Sequence, residues 1–407
     1  MVDYNIQYLI RKIRTDNKPL VIFGAGKYVQ MALFAFEKLG LEVDYFCDDL
    51  SIEKYLDKPV ISLEKLAKLD DQTHVFLCTK YALKGIKSRL EDIGIKNIHS
   101  CVSLFKNTDF SHTYFDNLSF LEIRRRIDLY SEEIKSIQNN NSDDLDIKYI
   151  DIVITEACSM RCVSCSNLMQ YYLKPRNSDT DLLFKSIDKI MAVTKDLYEF
   201  RVLGGEPFVN VEIGKIINKL STYKNAKNII IYSNATIIPK GENFECLKND
   251  KILVDITNYG ELSRKHQEYI NLFEEHKIKY TTNVPVWTDS GTINYQKKSE
   301  DRLVEMFKNC CVNDTLTLLN GKLYRCPFSG NAMNLKAIPI EKSDYVDLLD
   351  ETKTIDQAKI EIHKLYKEKK YLTACNYCNG RDFTTPKIEV AVQTKKPLPI
   401  PDIQTKS

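Results

Sequence analysis

The sequence predicts an α/β protein: two successive blocks of parallel sheet and a smaller region rich in cysteine. Three observations carry this. Apolar strand runs and helical stretches alternate between Leu20 and Cys101, and they alternate again between Ile150 and Asn283. Two groups of cysteines at metal-type spacings follow, one just after the second block's first strand and one near the end of the chain.

Size and charge bound the answer. A chain of 407 residues accommodates roughly two to three domains. Its hydrophobic content of 43% supports ordinary cores, and its net charge of +2 gives no field for nucleic acid or a membrane surface. No apolar run is long enough to span a bilayer, and the Met1 end shows no leader pattern. Twelve cysteines at these spacings favour thiolate–metal bonds in a reducing cytoplasm over disulfides.

The first block opens with Leu20-Val21-Ile22-Phe23, a buried strand running into Gly24-Ala25-Gly26. A helix follows over Lys27–Leu39, then a strand over Leu41–Cys47 ending in Asp48-Asp49. Further strands are expected at Val75–Cys78 and Ile98–Cys101, with helices at Leu63–Leu69 and Ala82–Ile93. This alternation is a Rossmann-like parallel sheet. Gly24 and Gly26 would let backbone approach a phosphate at the helix start. Val29 stands where a dinucleotide fingerprint needs its third glycine, while Asp48 lies near the position of a ribose-binding acid. Tight strand-to-helix packing explains the glycines equally well. The stretch resembles the small Rossmann-type domains of nucleotide-sugar-modifying proteins. A ligand site and a structural or docking role both stay open.

Residues 1–108 form this domain. Residues 109–146 read as a helical connector, periodic over Leu118–Ile137. It ends in the polar run Asn139-Asn140-Asn141-Ser142-Asp143-Asp144, the best boundary in the chain. A central domain spans 147–300, an auxiliary domain 301–385, and a polar, proline-rich tail over 386–407 is expected to be disordered.

The central domain is organised around Cys158-Ser-Met-Arg-Cys162-Val-Ser-Cys165, directly after the β-branched strand Ile150–Thr155. Three thiols so close converge on one centre only if the segment is a loop. A structural zinc or a simple electron-transfer [4Fe-4S] cluster takes four ligands, so three leave one position open. A zinc loop completed by a distant residue is the plainer alternative. The C-x3-C-x2-C spacing resembles the radical S-adenosylmethionine (radical SAM) superfamily. The resemblance implies a [4Fe-4S] cluster on Cys158, Cys162 and Cys165, with S-adenosylmethionine chelated to the open iron. It also implies a partial (β/α)6 barrel. Strands at Phe200–Leu203, Asn228–Ser233, Ile252–Thr257 and Lys279–Asn283 suit that fold, as do helices at Leu182–Thr194, Val211–Leu220 and Arg264–His276.

A second motif, Gly204-Gly205-Glu206-Pro207, ends the strand Phe200–Leu203. The glycines would expose backbone to a ligand, the proline stiffens the exit, and Glu206 could accept from an ammonium group. In the family this motif contacts the methionine amine of the cofactor. Ser233, Asn234 and Asp255, at the ends of the next two strands, lie where the family carries carboxylate- or ribose-binding groups, although capping would also explain them. The sequence departs from the family in one respect. Ser164 precedes the third cysteine, where an aromatic side chain usually stacks near adenine.

The carboxyl-terminal group is Cys310-Cys311, Cys326 and Cys375-Asn-Tyr-Cys378. C-x9-G-x4-C followed by C-x2-C resembles the shortened twitch form of the SPASM extension. That implies one auxiliary [4Fe-4S] cluster on Cys311, Cys326, Cys375 and Cys378, with Cys310 the adjacent competitor and a zinc ribbon the alternative metal site. Leu316–Leu319 and Lys322–Arg325 read as a hairpin through Asn320-Gly321.

The resemblance implies a radical-generating oxidoreductase. A small sugar, polyol or nucleotide-sugar is the expected substrate, with flavodoxin or ferredoxin as reductant. Modification of a ribosomal peptide, epimerisation with a thiol such as Cys246 as hydrogen donor, and a metal- or redox-sensing scaffold are the alternatives. No general base is evident. His266, Tyr259 and Arg381 are candidate site residues, with surface or structural roles as the plainer reading of each.

Overall fold

The structure, a computed structural model, describes residues 5–24, 26–48, 53–79, 83–111, 120–138, 144–381 and 385–401. The chain divides into two compact units, Met1–Ser142 and Asp143–Ser407. Of the expected boundary run at 139–144, only Asp144 falls within the described residues.

The first unit holds β1 (Leu20–Phe23), β2 (Tyr45–Cys47), β3 (Lys54–Tyr55), β4 (Lys58–Ile61), β5 (His74–Leu77) and β6 (Asn97–Ser100). They form one sheet in the order β3-β4-β2-β1-β5-β6. All pairings are parallel except that of the short β3 with β4. β1 and β5 are buried at every residue, as a parallel strand covered on both faces requires. Gly24 has φ +130°, and a Cβ there would meet the Cys78 carbonyl oxygen at 2.9 Å. Close approach to the next strand alone therefore accounts for this glycine. Val29, at the position of the missing third glycine, is wholly buried in the core.

The helix Phe120–Gln138 is not a free connector. Its apolar stripe places Ile123, Tyr130 and Ile134 in the first unit's core. The Tyr130 hydroxyl donates to Leu77 O at 2.5 Å and accepts from Cys101 N at 3.0 Å. A buried phenol needs such partners, and these tie the helix to the ends of two strands.

The second unit holds β7 (Asp146–Thr155), β8 (Asp196–Gly204), β9 (Ala226–Ser233), β10 (Ile252–Thr257), β11 (Tyr280–Asn283), β12 (Trp287–Thr288), β13 (Thr315–Leu319), β14 (Lys322–Tyr324), β15 (Tyr345–Asp347) and β16 (Lys387–Ile388). The main sheet runs β11-β10-β9-β8-β7-β13-β14-β15. The first five strands are parallel, with helices at Thr180–Val193, Ile213–Ser221 and His266–Glu275 between them. Alternation along β7 divides its side chains. Ile150, Ile152 and Ile154 pack with Leu183, Ile187 and Ile190 of the first helix. Val153 joins a separate cluster with Tyr171, Leu319 and Phe328. Asp179 caps that helix, accepting from Asp181 N and Leu182 N at 3.1 and 3.0 Å, a contribution of about 1 kcal/mol.

β13 continues this sheet: it pairs parallel with β7, Leu316 opposite Ile150. β14 and β15 then extend it antiparallel. The carboxyl-terminal cysteine region is thus built onto the central sheet rather than hung beside it. The β13–β14 turn has Asn320 at φ 48° and Gly321 at φ 78°, the left-handed pair that a two-residue hairpin demands.

The tail also departs from expectation. Residues 386–401 are ordered. β16 pairs antiparallel with β12, and the chain beyond it hydrogen-bonds to the loop between β7 and β8. Polar composition suggested disorder, but these backbone bonds and the buried Ala391 hold the segment in place. Residues 402–407 lie outside the described residues.

Candidate cluster and cofactor site

The β7–β8 loop is pinned at its base. Ser178 N donates to Ile154 O at 3.0 Å and Glu156 N to Arg176 O at 2.9 Å, while Thr155 Oγ1 reaches Asn177 Oδ1 at 2.7 Å. Within the loop, Cys165 N donates to Cys162 O and Leu168 N to Cys165 O, at 3.2 and 3.0 Å. These turns wind the chain so that Cys158, Cys162 and Cys165 feel one another's charge. Burial pushes the Cys158 thiol up to about 12 and the Cys162 thiol up to about 11, and raises Cys165 too. Left alone, such thiols stay protonated; a metal centre supplies the charge that would ionise them.

The Gly-Gly-Glu-Pro motif locks onto this loop. Gly205 N donates to Thr155 O at 3.1 Å, and Glu206 N to Ala157 O at 2.9 Å. A Cβ on Gly204 would lie 2.2 Å from Thr155 O. One on Gly205 would lie 2.1 Å from Ala157 O and 2.7 Å from Cys158 Cβ. Both glycines are needed because backbone passes backbone here, a constraint independent of any ligand.

Glu206 is fully buried. Its carboxylate accepts from Asn234 N at 2.7 Å, Ser233 Oγ at 3.0 Å and Phe208 N at 3.3 Å. Burial nevertheless raises it to about 7, against the lowering effect of those three bonds. Pro207 opens the short turn that follows. Asn234 turns its amide toward the cysteine loop, with Nδ2 at 3.2 Å from Ser159 Oγ and 3.7 Å from Cys158 Sγ. Gly204, Gly205, Glu206, Pro207, Ser233 and Asn234 therefore join the first cysteines in one constellation. Asp255 lies one strand further on, buried, and accepts from Asn283 Nδ2 at 2.6 Å.

Tyr259 packs beside Cys158, Cys162 and Cys165 together with Trp287. Its ring meets the indole edge-on at 6.0 Å between centroids. Burial, then the neighbouring thiols, raise its hydroxyl well above the ordinary phenol range. Trp287 was missed in the sequence, since a lone tryptophan beyond the barrel strands carries no motif. His266 instead bonds Thr282 Oγ1 through Nε2 at 2.8 Å, a contact between helix and strand. Cys246 is buried in the hydrophobic core and donates to Asn243 O at 3.4 Å, which disfavours it as a hydrogen donor.

A cavity is lined by Cys310, Cys326, Cys375 and Cys378, with Ser166 and Arg381 at its wall. Cys310 lines it, and the charge of its neighbour Cys311 reaches Cys378. Cys326 caps the helix Pro327–Asn334 and accepts from Ser329 N at 3.3 Å. Lys298 Nζ donates to Cys375 O and Cys378 O at 3.0 and 2.7 Å, fixing the C-x2-C turn. Burial raises Cys326 and Cys378, and takes Cys375 up to about 12. Ser166 comes from the first cysteine loop, and the charge of Arg381 lowers both Cys165 and Cys378. The two cysteine sets are neighbours.

The donor sets fit iron–sulfur clusters. Three thiols with no fourth in their loop leave a position open, and four thiols around an apolar cavity can close a cluster. Among the described residues no three cysteine, histidine, aspartate or glutamate side chains are gathered tightly enough for a single ion. A cluster does not ask for that, because each thiolate binds a different iron.

Residues 151–271 match the family model described as a 4Fe-4S single cluster domain. The chain is 28% identical over 133 residues to GTP 3',8-cyclase of Clostridium acetobutylicum, covering 29% of this chain and 41% of that protein. It is 26% identical over 170 residues to GTP 3',8-cyclase of Campylobacter jejuni subsp. doylei, covering 40% and 52%. The chain thus spans about half or less of the curated relatives it matches. Among solved structures, BtrN in complex with AdoMet and 2-DOIA is similar at 15% identity and a TM-score of 0.39, over 63% of this chain and 98% of that one. Streptococcus suis SuiB bound to S-adenosylmethionine is similar at 18% and 0.30, over 48% and 44%.

Proposed function

We propose that this chain is a radical SAM enzyme with an auxiliary-cluster region, and that it oxidises a small polar substrate by two electrons. The reading rests on one observation above all: the wall of the cavity of Cys310, Cys326, Cys375 and Cys378 includes Ser166 of the first cysteine loop, and Arg381 beside it acts on Cys165 and Cys378 alike. When bound, the first cluster and S-adenosylmethionine supply a 5'-deoxyadenosyl radical that abstracts hydrogen. An electron left on the substrate then has an acceptor nearby.

In this reading Cys158, Cys162 and Cys165 hold the first cluster, and Cys310, Cys326, Cys375 and Cys378 the second. Gly204, Gly205, Glu206 and Pro207 set the position of the first loop and the methionine end of the cofactor. Glu206 orders Ser233 and Asn234 through its carboxylate, so that Asn234 faces the loop from the next strand. Tyr259, with Trp287 behind it, offers the aromatic surface that Ser164 cannot. Asp255 and Asn283 stand ready for a ribose. Flavodoxin or ferredoxin would supply electrons.

A sugar, polyol or nucleotide-sugar is the substrate class we favour, from the Rossmann-like first unit. The curated relatives are named for a nucleotide substrate, which agrees in kind. The buried position of Cys246 counts against redox-neutral epimerisation using that thiol. Among the described residues no helix is long and apolar enough to cross a membrane.

The test is anaerobic incubation of reconstituted protein with S-adenosylmethionine, dithionite and a panel of nucleotide-sugars. Formation of 5'-deoxyadenosine with a product two hydrogens lighter supports oxidation. Solvent deuterium incorporated without a change of oxidation level would move the reading to epimerisation. Turnover only with a short ribosomal peptide would move it to peptide modification, and zinc with little iron to a metal-binding scaffold.

A further inference from the structure

The segment after β16 runs back along the outside of the first cysteine loop. Val163 N donates to Val392 O and Thr394 N to Arg161 O, each at 2.8 Å, so Gln393 sits bridged to Cys162. Arg161 Nη1 donates to Lys395 O at 3.1 Å, and Leu398 N to Gln170 O at 2.8 Å. Ala391, in a left-handed conformation at φ 56°, is buried against Met160 and Cys162. A non-glycine residue held there costs energy that the surrounding contacts must offset.

Gln393 is aimed by two bonds of its own. Its Oε1 accepts from Arg161 N at 2.8 Å, which turns Nε2 toward the loop. Nε2 then lies 2.7 Å from Ala391 O and 3.0 Å from Cys162 Sγ. Cys162 is only 8% exposed. An amide N–H directed at a thiolate sulfur withdraws electron density from the iron it serves. It also stabilises the more negative, reduced form of a cluster.

We propose that residues 387–398 are a strap that seals the Cys162 side of the first cluster, and that Gln393 is a positioning residue which raises that cluster's reduction potential through its amide. This rests on the reading that Cys158, Cys162 and Cys165 hold the cluster. Gln393 contributes a donor, not a ligand, so its loss leaves the iron bound and changes its redox poise.

Two measurements on the full chain test it. In the first, anaerobically reconstituted wild type, Gln393→Leu and Gln393→Glu are titrated with dithionite. The paramagnetic signal that changes on adding S-adenosylmethionine is followed, which marks it as the first cluster. At the potential that half-reduces wild type, the reduced-to-oxidised ratio in Gln393→Leu should fall about tenfold, and further in Gln393→Glu. Unchanged midpoints overturn the tuning role. The second uses metal-free protein and iodoacetamide, with alkylated peptides read by mass spectrometry. Thr394→Pro removes the bond to Arg161 O, and Cys162 labelling should rise several-fold while Cys375 labelling stays constant. Equal Cys162 rates overturn the strap. If these shifts appear while no substrate yields 5'-deoxyadenosine, the strap stands and the oxidase reading fails. If no signal responds to S-adenosylmethionine, both fail.

Discussion

The Glu206 carboxylate accepts from the backbone N–H of Asn234 at 2.7 Å, so an acid at the end of one strand fixes the shape of the next strand's end. The same carboxylate takes the Ser233 hydroxyl, and Asn234 passes the link on to Ser159 and Cys158. Replacing Glu206 by Ala leaves two or three buried donors without an acceptor, at about 1–3 kcal/mol each. The metal-free variant should melt several degrees lower. It should also bind S-adenosylmethionine at least tenfold more weakly, by calorimetry on reconstituted protein.

Glu206 also predicts a pH dependence. Its folded value is raised to about 7 from 4.5, chiefly by burial. The folded state therefore binds more protons than the unfolded chain between those values. Its stabilising contribution is complete below about pH 4.5 and is lost as pH rises through about 7. Tm of the metal-free protein should fall over that window, and Glu206→Gln should flatten the slope. A slope unaltered in the variant would assign the effect to other groups.

Gly205→Ala places a methyl group 2.1 Å from Ala157 O. The obstacle is backbone, so the loop must move and Cys158 with it. Iron analysis should show about four fewer irons per chain, with far-ultraviolet circular dichroism close to wild type.

Cys310 lines the cavity with Cys326, Cys375 and Cys378. Cys310→Ala should therefore lose the second cluster, about four irons per chain, while Cys311→Ala keeps it. The opposite pattern would restore Cys311 as the ligand.

Tyr259→Leu keeps apolar bulk beside the thiols but removes the ring. If that ring covers the adenine, the Kd for S-adenosylmethionine should rise about three- to tenfold, in keeping with 0.5–1.5 kcal/mol for one aromatic contact. Iron content should not change.

Much of this was legible because periodicity and spacing are local signals. The strands at Leu20–Phe23 and Ile252–Thr257 are found at the expected residues, since buried parallel strands read as continuous apolar runs. Cys158, Glu206 and Asn234 could be grouped because strand ends converge in a parallel sheet. What escaped depended on distant partners. Nothing around Thr315 announces that its strand pairs with β7, and nothing near Gln393 announces a thiol at 3.0 Å. The glycines at 204 and 205 were legible as a motif, but their tight passage against Thr155 and Ala157 was not.

The pairing of β13 with β7 has a consequence for biogenesis. Among the described residues, the strand that presents the first cysteines pairs on that side with residues 315–319, and Cys162 takes part of its cover from residues near 393. A nascent chain still short of these would hold the loop on an unfinished sheet edge, slow to complete because the closing contacts are so far apart in sequence. Stable iron loading should therefore follow completion of the chain, and chains truncated before the hairpin should accumulate as metal-free, aggregation-prone species.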